Sequence, residues 1–133
     1  MNIRAAQPAD YAGIREVLLA AFRGPDEAKL VDQLRADGDA AIELLADDGG
    51  SIVGYILFSP VEAPFKALAL APVAVVPDRH GQGIGSALIE AGHAIAREQG
   101  WDAIFVLGEP AYYRRFGYDP AQAARFGSSY AGR

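Results

Sequence analysis

The feature that most constrains the fold is a glycine-rich turn, residues 81–86, between a predicted strand and a predicted helix. Residues 66–76 form a long apolar run with β-branched residues near its end, which predicts a strand. Apolar residues recur at helical spacing through residues 83–99, and Gly100 follows as a helix stop. The short apolar run at residues 103–107 predicts a second, buried strand. Two strands joined in this way form a right-handed crossover with parallel strands.

The chain before this unit predicts antiparallel strands and two more helices. In chain order these elements are a strand, two helices and two strands, at residues 3–5, 8–22, 26–36, 41–46 and 52–59. Pro8 suits the first turn of the first helix, and Asp26 is the predicted cap of the second. The run Asp47-Asp48-Gly49-Gly50-Ser51 predicts a hairpin turn, because its glycines allow positive φ. The expected fold class is α/β (α+β), with a mixed, mostly antiparallel sheet and flanking helices.

Length, charge and composition narrow the class of protein. The 133 residues suit a single domain, residues 1–133, and 51% of them are hydrophobic, which is enough for a core. A net charge of −5 argues against a nucleic-acid surface. The absence of cysteine excludes zinc thiolates, disulfides and thiol nucleophiles, and two histidines are too few to predict a metal site. No signal pattern or membrane-length apolar run occurs, so a cytoplasmic protein without membrane, nucleic-acid or metal partners is expected.

The glycine-rich turn has the chemistry of a diphosphate site. The first amides of a helix have no acceptor inside the helix, glycines let a phosphate approach them, and the helix dipole favours negative charge. A P-loop is excluded because no lysine lies in the turn, and a dinucleotide fingerprint is excluded because Ser86 or Leu88 stands where its third glycine is needed. Taken alone, the turn could also be a simple connection between strand and helix.

Three segments together resemble the GCN5-related N-acetyltransferase (GNAT) family, whose cofactor loop reads Gln/Arg-x-x-Gly-x-Gly/Ala. His80-Gly81-Gln82-Gly83-Ile84-Gly85 matches this loop except at His80. Residues 70–77 with 83–89, and residues 107–118, look like the bacterial subgroup often called YhbS-like. The resemblance spans roughly residues 1–120 and implies acetyl-CoA as co-substrate. It implies that the diphosphate lies on the loop residues His80, Gly81, Gln82, Gly83, Ile84, Gly85 and Ser86.

Pro72 indicates how the strand beside the loop would be used. Proline cannot donate to a sheet ladder, so it marks either a bulge or merely an unpaired edge. In the resembled family this strand bulges away from the next parallel strand, and the cleft admits the pantetheine arm of coenzyme A. The resemblance implies that the arm is lined by Val73, Ala74, Val75 and Val76. A free amide near Val73 or Ala74 would stabilise the oxyanion of the thioester.

The resemblance also implies the chemistry of the transfer, which is N-acetylation of a primary amine of a small molecule or peptide. Tyr113, four residues before Gly117, holds the place of the general acid in the family, whereas Tyr112 is expected to pack. Glu109 and Glu62 are candidate bases that could equally be solvated loop charges. The basic side chains that could meet the phosphates, or serve only at the surface, are Arg79, Arg114 and Arg115. His93 is expected to be an ordinary surface residue.

The chain after Tyr118 shows no strand-like alternation. The resembled family normally continues with two more strands, the last inserted beside the strand at 103–107. Because at most one strand is expected here, the C-terminal strands are predicted to be truncated. An unpaired 103–107 edge would favour a homodimer or an altered arrangement. Two alternatives to an enzyme follow: an acyl-CoA-binding module without turnover, and an interaction domain that uses its sheet edge.

Overall fold

The computed structural model describes residues 1–22, 24–106, 122–125 and 128–131. These residues form seven strands and three α-helices, which are β1 (Asn2–Ala5), α1 (Tyr11–Ala21), α2 (Asp26–Ala36), β2 (Ile42–Asp48), β3 (Ser51–Val61), β4 (Ala67–Val75), α3 (Ile84–Glu98), β5 (Ala103–Val106), β6 (Gln122–Arg125) and β7 (Ser128–Ala131). Single-turn 3-10 helices, Pro8–Asp10 and Pro77–Arg79, precede α1 and the glycine-rich turn. No helix among these residues is long and apolar enough to span a membrane.

The strands form one sheet in chain order from β1 to β7. Every neighbouring pair is antiparallel except β4 and β5, which are parallel and are connected through α3. This confirms the predicted mixed, mostly antiparallel sheet with one strand–helix–strand crossover. The hairpin between β2 and β3 is also confirmed, because Gly49 and Gly50 have φ of 62° and 95° at its turn.

The expectation for the C-terminal strands is wrong. Two short strands follow β5, and β6 pairs with it antiparallel, with Ala103 opposite Arg125. The ladder at a sheet margin is built from main-chain groups, so strands of four residues form without alternation of apolar and polar side chains. β6, rather than the last strand, lies beside β5. Since the 103–107 edge is paired, the homodimer stays a prediction without this support.

The start of α2 differs from the prediction in a small way. Asp26 is the first helical residue, and Pro25 takes the cap position without a side-chain cap. The first bond of the helix runs from the Lys29 amide to the Pro25 carbonyl at 2.9 Å. Proline has no amide to be left unpaired at a helix start, so the helix begins directly after it.

The two faces of the sheet carry separate apolar clusters. α3 covers one face and packs Ile84, Leu88 and Ile89 on buried side chains of β2 to β5. Gly54 and Gly92 allow this close approach, because a Cβ on Gly54 would lie 2.8 Å from Ile84 Cγ2 and one on Gly92 would collide with the Phe58 ring. The other face is covered by α1 and α2. The position of α3 against the sheet fixes where the glycine-rich turn lies.

A charged network, here called the Glu43 network, connects α2 to the second face. Glu43 Oε1 accepts hydrogen bonds from the Tyr55 hydroxyl at 2.6 Å and from Arg35 Nε at 3.0 Å. The guanidinium of Arg35 lies 3.6 Å from the centre of the Tyr11 ring. Tyr55 is fully buried, and burial followed by its bond to Glu43 raises its pKa. These four side chains join α1, α2, β2 and β3.

Candidate functional site

The glycine-rich turn is held in a conformation that requires glycine. Gly81 and Gly83 each have φ of 81°, and Gly83 is the cap residue of α3. Side chains other than glycine rarely adopt this region. Apart from the adjacent residues, a Cβ at either position would have no described atom within 4 Å, so the described part of the chain leaves the space beside these two glycines open.

The amides of this turn have no acceptor within the described part of the chain. Residues 81–86 donate no hydrogen bond there, and the first bond at the start of α3 runs from the Ala87 amide to the Gly83 carbonyl at 3.0 Å. The amides from Gly83 to Ser86 lie at the positive end of a helix of 15 residues, where an anion is favoured, and residues 81–86 are called the cradle below. Ile84 and Gly85 are buried and Ser86 is half-buried, so the cradle consists mainly of backbone.

The basic side chains next to the cradle contact the protein itself. Arg79 Nη2 lies 2.8 Å from Asp48 Oδ2, and Arg79 Nε donates to Gln82 Oε1 at 2.8 Å. The His80 ring, expected to meet the diphosphate, has Nε2 at 2.9 Å from the Val75 carbonyl oxygen. Sequence reasoning missed these contacts because nothing in the local pattern indicates that Asp48 and Val75 are their acceptors.

The bulge predicted at Pro72 is present in β4. Between the pairs Ile56–Val73 and Phe58–Leu70, Leu57 of β3 faces two residues of β4, Ala71 and Pro72. The peptide bond between these two residues is cis. On its other side, β4 pairs with β5 only from Ala67 to Leu70 among the described residues. Val106, opposite Leu70, is the last described residue of β5, so residues 71–75 have no neighbour on this side among the described residues, and this side is called the open edge of β4.

Strand alternation identifies which groups face this open edge. The Val76 amide donates to the Val53 carbonyl of β3 at 3.0 Å, and Ala74 is paired with Tyr55. Neighbouring residues of a strand direct their amides and carbonyls to opposite sides, so those of Val73 and Val75 face away from β3. Of the two amides that the sequence left open, Val73 therefore faces the open edge and Ala74 faces β3. The Ala74 side chain is buried under α1 and α2, whereas Val73, Val75 and Val76 are half-buried.

Several predicted site residues lie elsewhere. Tyr113 and Glu109, the predicted acid and base, lie outside the described residues, as do Arg114 and Arg115. Glu62 is exposed directly after β3. β4 itself carries no carboxylate. No three acidic or histidine side chains in the described ranges are close enough together to hold a metal ion.

The expectation that His93 is an ordinary surface residue is wrong. His93 is half-buried on α3, and burial, followed by the charge of Arg97, lowers its pKa from 6.5 to about 4. Helical spacing alone could not place it, because the width of the covered face depends on how closely α3 approaches the sheet.

The His93 pKa predicts a pH dependence of stability. As pH falls from 6.5 towards 4, the His93 imidazole becomes protonated in the unfolded chain but stays neutral in the folded one. The free energy of unfolding should therefore decrease over this window, and part of the decrease should be absent in His93→Asn. Urea denaturation of both proteins at pH 7.0, 5.5 and 4.5 measures the difference. Parallel pH profiles for the two proteins would contradict the prediction.

Comparison with known proteins gives concordant similarities in sequence and structure. Residues 11–118 match the family described as Acetyltransferase (GNAT) family. The chain is 41% identical over 125 residues to the uncharacterized N-acetyltransferase YhbS of Escherichia coli K12, covering 91% of this chain and 75% of that protein. A crystal structure of a GNAT family acetyltransferase from Brucella melitensis in complex with acetyl-CoA is 38% identical, with a TM-score of 0.88 and coverage of 98% and 91% of the two chains. The structure of YhbS from E. coli in complex with CoA has a TM-score of 0.85 at 38% identity, covering 89% of this chain and 68% of that one.

Proposed function

This chain belongs to the acetyltransferase (GNAT) family, and on that premise we propose that it moves an acetyl group from acetyl-CoA to a primary amine. It is an acyltransferase, and the acceptor we propose is an amine of a small molecule or peptide. The observation that carries the proposal is the set of six amides, residues 81–86, that have no acceptor in the described chain. The two similar proteins crystallised with acetyl-CoA or CoA support this ligand.

The proposed binding mode uses the cradle and the open edge of β4 together. The amides from Gly81 to Ser86 would hold the diphosphate. The pantetheine arm would lie along residues 73–76 and hydrogen-bond to main-chain groups much as an added strand does. Val73 supports this placement best, because its amide and carbonyl face away from β3 and are on the open edge.

The proposed reaction is direct attack within a ternary complex. The thioester supplies the acetyl group; the amine nitrogen bonds to its carbonyl carbon, and the carbon–sulfur bond breaks. The Val73 amide would donate to the carbonyl oxygen as charge develops there. Tyr113 would give its proton to the departing sulfur, and Glu109 or water would take the proton from the amine. An acyl-enzyme on a thiol is not available, because the sequence contains no cysteine.

Two observations bear on the alternatives to an enzyme. An interaction domain using the 103–107 edge loses its basis, because β6 covers that edge. An acyl-CoA-binding module without turnover differs from the proposal only in activity. Incubation with acetyl-CoA and a panel of primary amines, with released thiol as the signal, separates the two. Thiol release that depends on an amine favours the transferase, whereas CoA binding without any release favours the module.

Gly83→Ala tests the cradle itself, with Gly38→Ala as a matched control. Both glycines have positive φ, 81° and 77°, and an added Cβ meets nothing within 4 Å at either one. Both variants should therefore lose a similar stability, about 1–2 kcal/mol, from the unfavourable backbone conformation. Only Gly83→Ala adds a methyl group to the cradle. Because alanine disfavours positive φ, this variant should also change the direction of the neighbouring amides. It alone should therefore weaken CoA binding, by about 10-fold or more.

Calorimetric titration with CoA, beside melting curves, measures both effects. Equal CoA affinity in the two variants would show that the cradle does not bind CoA. Failure of the wild-type protein to bind CoA would overturn the proposed function as a whole.

A further inference from the structure

The His80 side chain folds back from the glycine-rich turn onto β4. Its amide donates to the Pro77 carbonyl at 3.3 Å, while its ring nitrogen Nε2 lies 2.9 Å from the Val75 carbonyl oxygen. A carbonyl oxygen can only accept, so Nε2 carries the proton of this bond. The ring is exposed, yet it has a defined partner five residues earlier in the chain.

The acceptor of this bond lies on the open edge of β4. Because the Val76 amide pairs with Val53 of β3, the carbonyl of Val75 must face the opposite side. The His80 bond therefore connects the turn that begins at Gly81 to the edge that carries the Val73 groups. These are the two halves of the proposed acyl-CoA site.

A second contact fixes the other side of the turn. Arg79 pairs with Asp48, in the hairpin between β2 and β3, at 2.8 Å, and it also holds Gln82. Arg79 thus fixes the turn to the hairpin, whereas His80 fixes it to the strand edge. A Cβ placed on Gly83 would meet no described atom of either side chain within 4 Å, so neither one fills the space beside that residue.

We propose that His80 is a positioning residue for acyl-CoA, which aligns the amide cradle with the open edge of β4 through its bond to the Val75 carbonyl. The inference rests on the proposed function and deepens it. A ligand that spans both halves gains affinity when their relative position is fixed in advance. A ligand that occupies only one half gains nothing from the alignment. His80 therefore raises the affinity for intact CoA without contacting its phosphates.

The test compares CoA with two of its fragments. ADP probes the cradle alone and pantetheine probes the strand edge alone; each is titrated into the wild type, His80→Ala and His80→Gln. We expect His80→Ala to raise the Kd of CoA about 3- to 10-fold, the range for one lost hydrogen bond. The Kd values of ADP and pantetheine should change less than about twofold by the same reasoning. The amide of Gln can donate to the carbonyl in place of the imidazole, so His80→Gln should recover most of the CoA affinity.

Turnover gives a second readout that a merely structural role would not produce. In His80→Ala, KM for acetyl-CoA should rise while kcat at saturating acetyl-CoA stays near the wild-type value. A loss of ADP affinity as large as the loss of CoA affinity would mean that His80 contacts the phosphates, and would overturn the positioning role. An unchanged CoA affinity in His80→Ala would overturn it as well. If the wild type binds no CoA, the proposed function fails, which this set of titrations distinguishes from failure of the His80 role alone.

Discussion

Glu43→Gln is expected to lower the free energy of unfolding by about 3 kcal/mol, as breaking a buried ion pair does when one charge is left without its partner. Glu43 and Arg35 have side chains that are only 11% and 13% exposed, with Arg35 Nη2 3.0 Å from Glu43 Oε1. The amide of Gln has nearly the same shape and can still accept from the Tyr55 hydroxyl. The substitution therefore removes the negative charge and little else.

In Glu43→Gln, no other carboxylate of the described residues lies close enough to the Arg35 guanidinium to take the place of Glu43. The nearest other carboxylate to Arg35 is Asp32, with Oδ1 at 3.8 Å from Nη1 and a side chain that is 57% exposed. The ring of Tyr11 holds the guanidinium in place at 3.6 Å, but a cation–π contact is weaker than a partly buried ion pair. In Glu43→Gln the positive charge stays enclosed between α2 and the sheet and destabilises their packing.

Asp32→Asn is the matched control for Glu43→Gln. It also removes one carboxylate near Arg35, and it breaks the exposed pair with Arg15 at 2.7 Å. Because that pair is solvated, the loss should stay below about 1 kcal/mol. Urea denaturation of the two variants at pH 7 and low salt gives the comparison. Similar losses in both would show that the Glu43 network contributes no more than a surface ion pair.

The strand–turn–helix–strand unit could be predicted closely from the sequence. β4, α3 and β5 each begin and end within one residue of the predicted limits. The reason is that local signals agree there: an apolar run, glycines at positive φ, a helical period and a glycine stop. The resemblance added the identity of the ligand, which the local pattern limits only to a diphosphate.

The parts that the sequence could not predict depend on contacts between distant residues. Whether the amide of Val73 or that of Ala74 faces away from β3 depends on the Val76–Val53 bond and on the bulge at Pro72, which changes the pairing register. The acceptor of His80 is a main-chain carbonyl, and no side-chain pattern marks it. The Glu43 network is likewise formed by four elements that are separate in the chain.

The C-terminal strands were missed for a different reason. Period-two alternation detects strands that bury one face, but the pairing of β6 with β5 requires only free main-chain groups and a suitable turn. The expected homodimer drew its support from an unpaired β5 edge, and it stays a prediction without that support because β6 pairs with β5. Strands of four residues are hard to detect in a sequence, so an apparently unpaired sheet edge is weak evidence for an oligomer.

Tyr113→Phe is expected to lower kcat about 10²- to 10⁴-fold, the usual contribution of a positioned general acid. The substitution keeps the ring and removes only the hydroxyl that we propose protonates the departing sulfur. A free thiol has a pKa of about 8.5, so near pH 7 the released sulfur ends as a thiol, and Tyr113 would supply its proton. CoA affinity should change little, because neither the cradle nor the β4 edge includes this side chain in the proposed binding mode.

Tyr112→Phe is the control for Tyr113→Phe, because it removes the same hydroxyl from the neighbouring residue, which we expect to pack. It should keep kcat within a few-fold of the wild type. Steady-state rates with acetyl-CoA and the best amine of the panel, together with calorimetric Kd values for CoA, separate loss of chemistry from loss of binding. Full turnover in Tyr113→Phe would show that the sulfur takes its proton from another donor, while membership of the family would stand. A large loss of kcat in Tyr112→Phe alone would instead identify Tyr112 as the general acid, because both substitutions remove only a phenol hydroxyl.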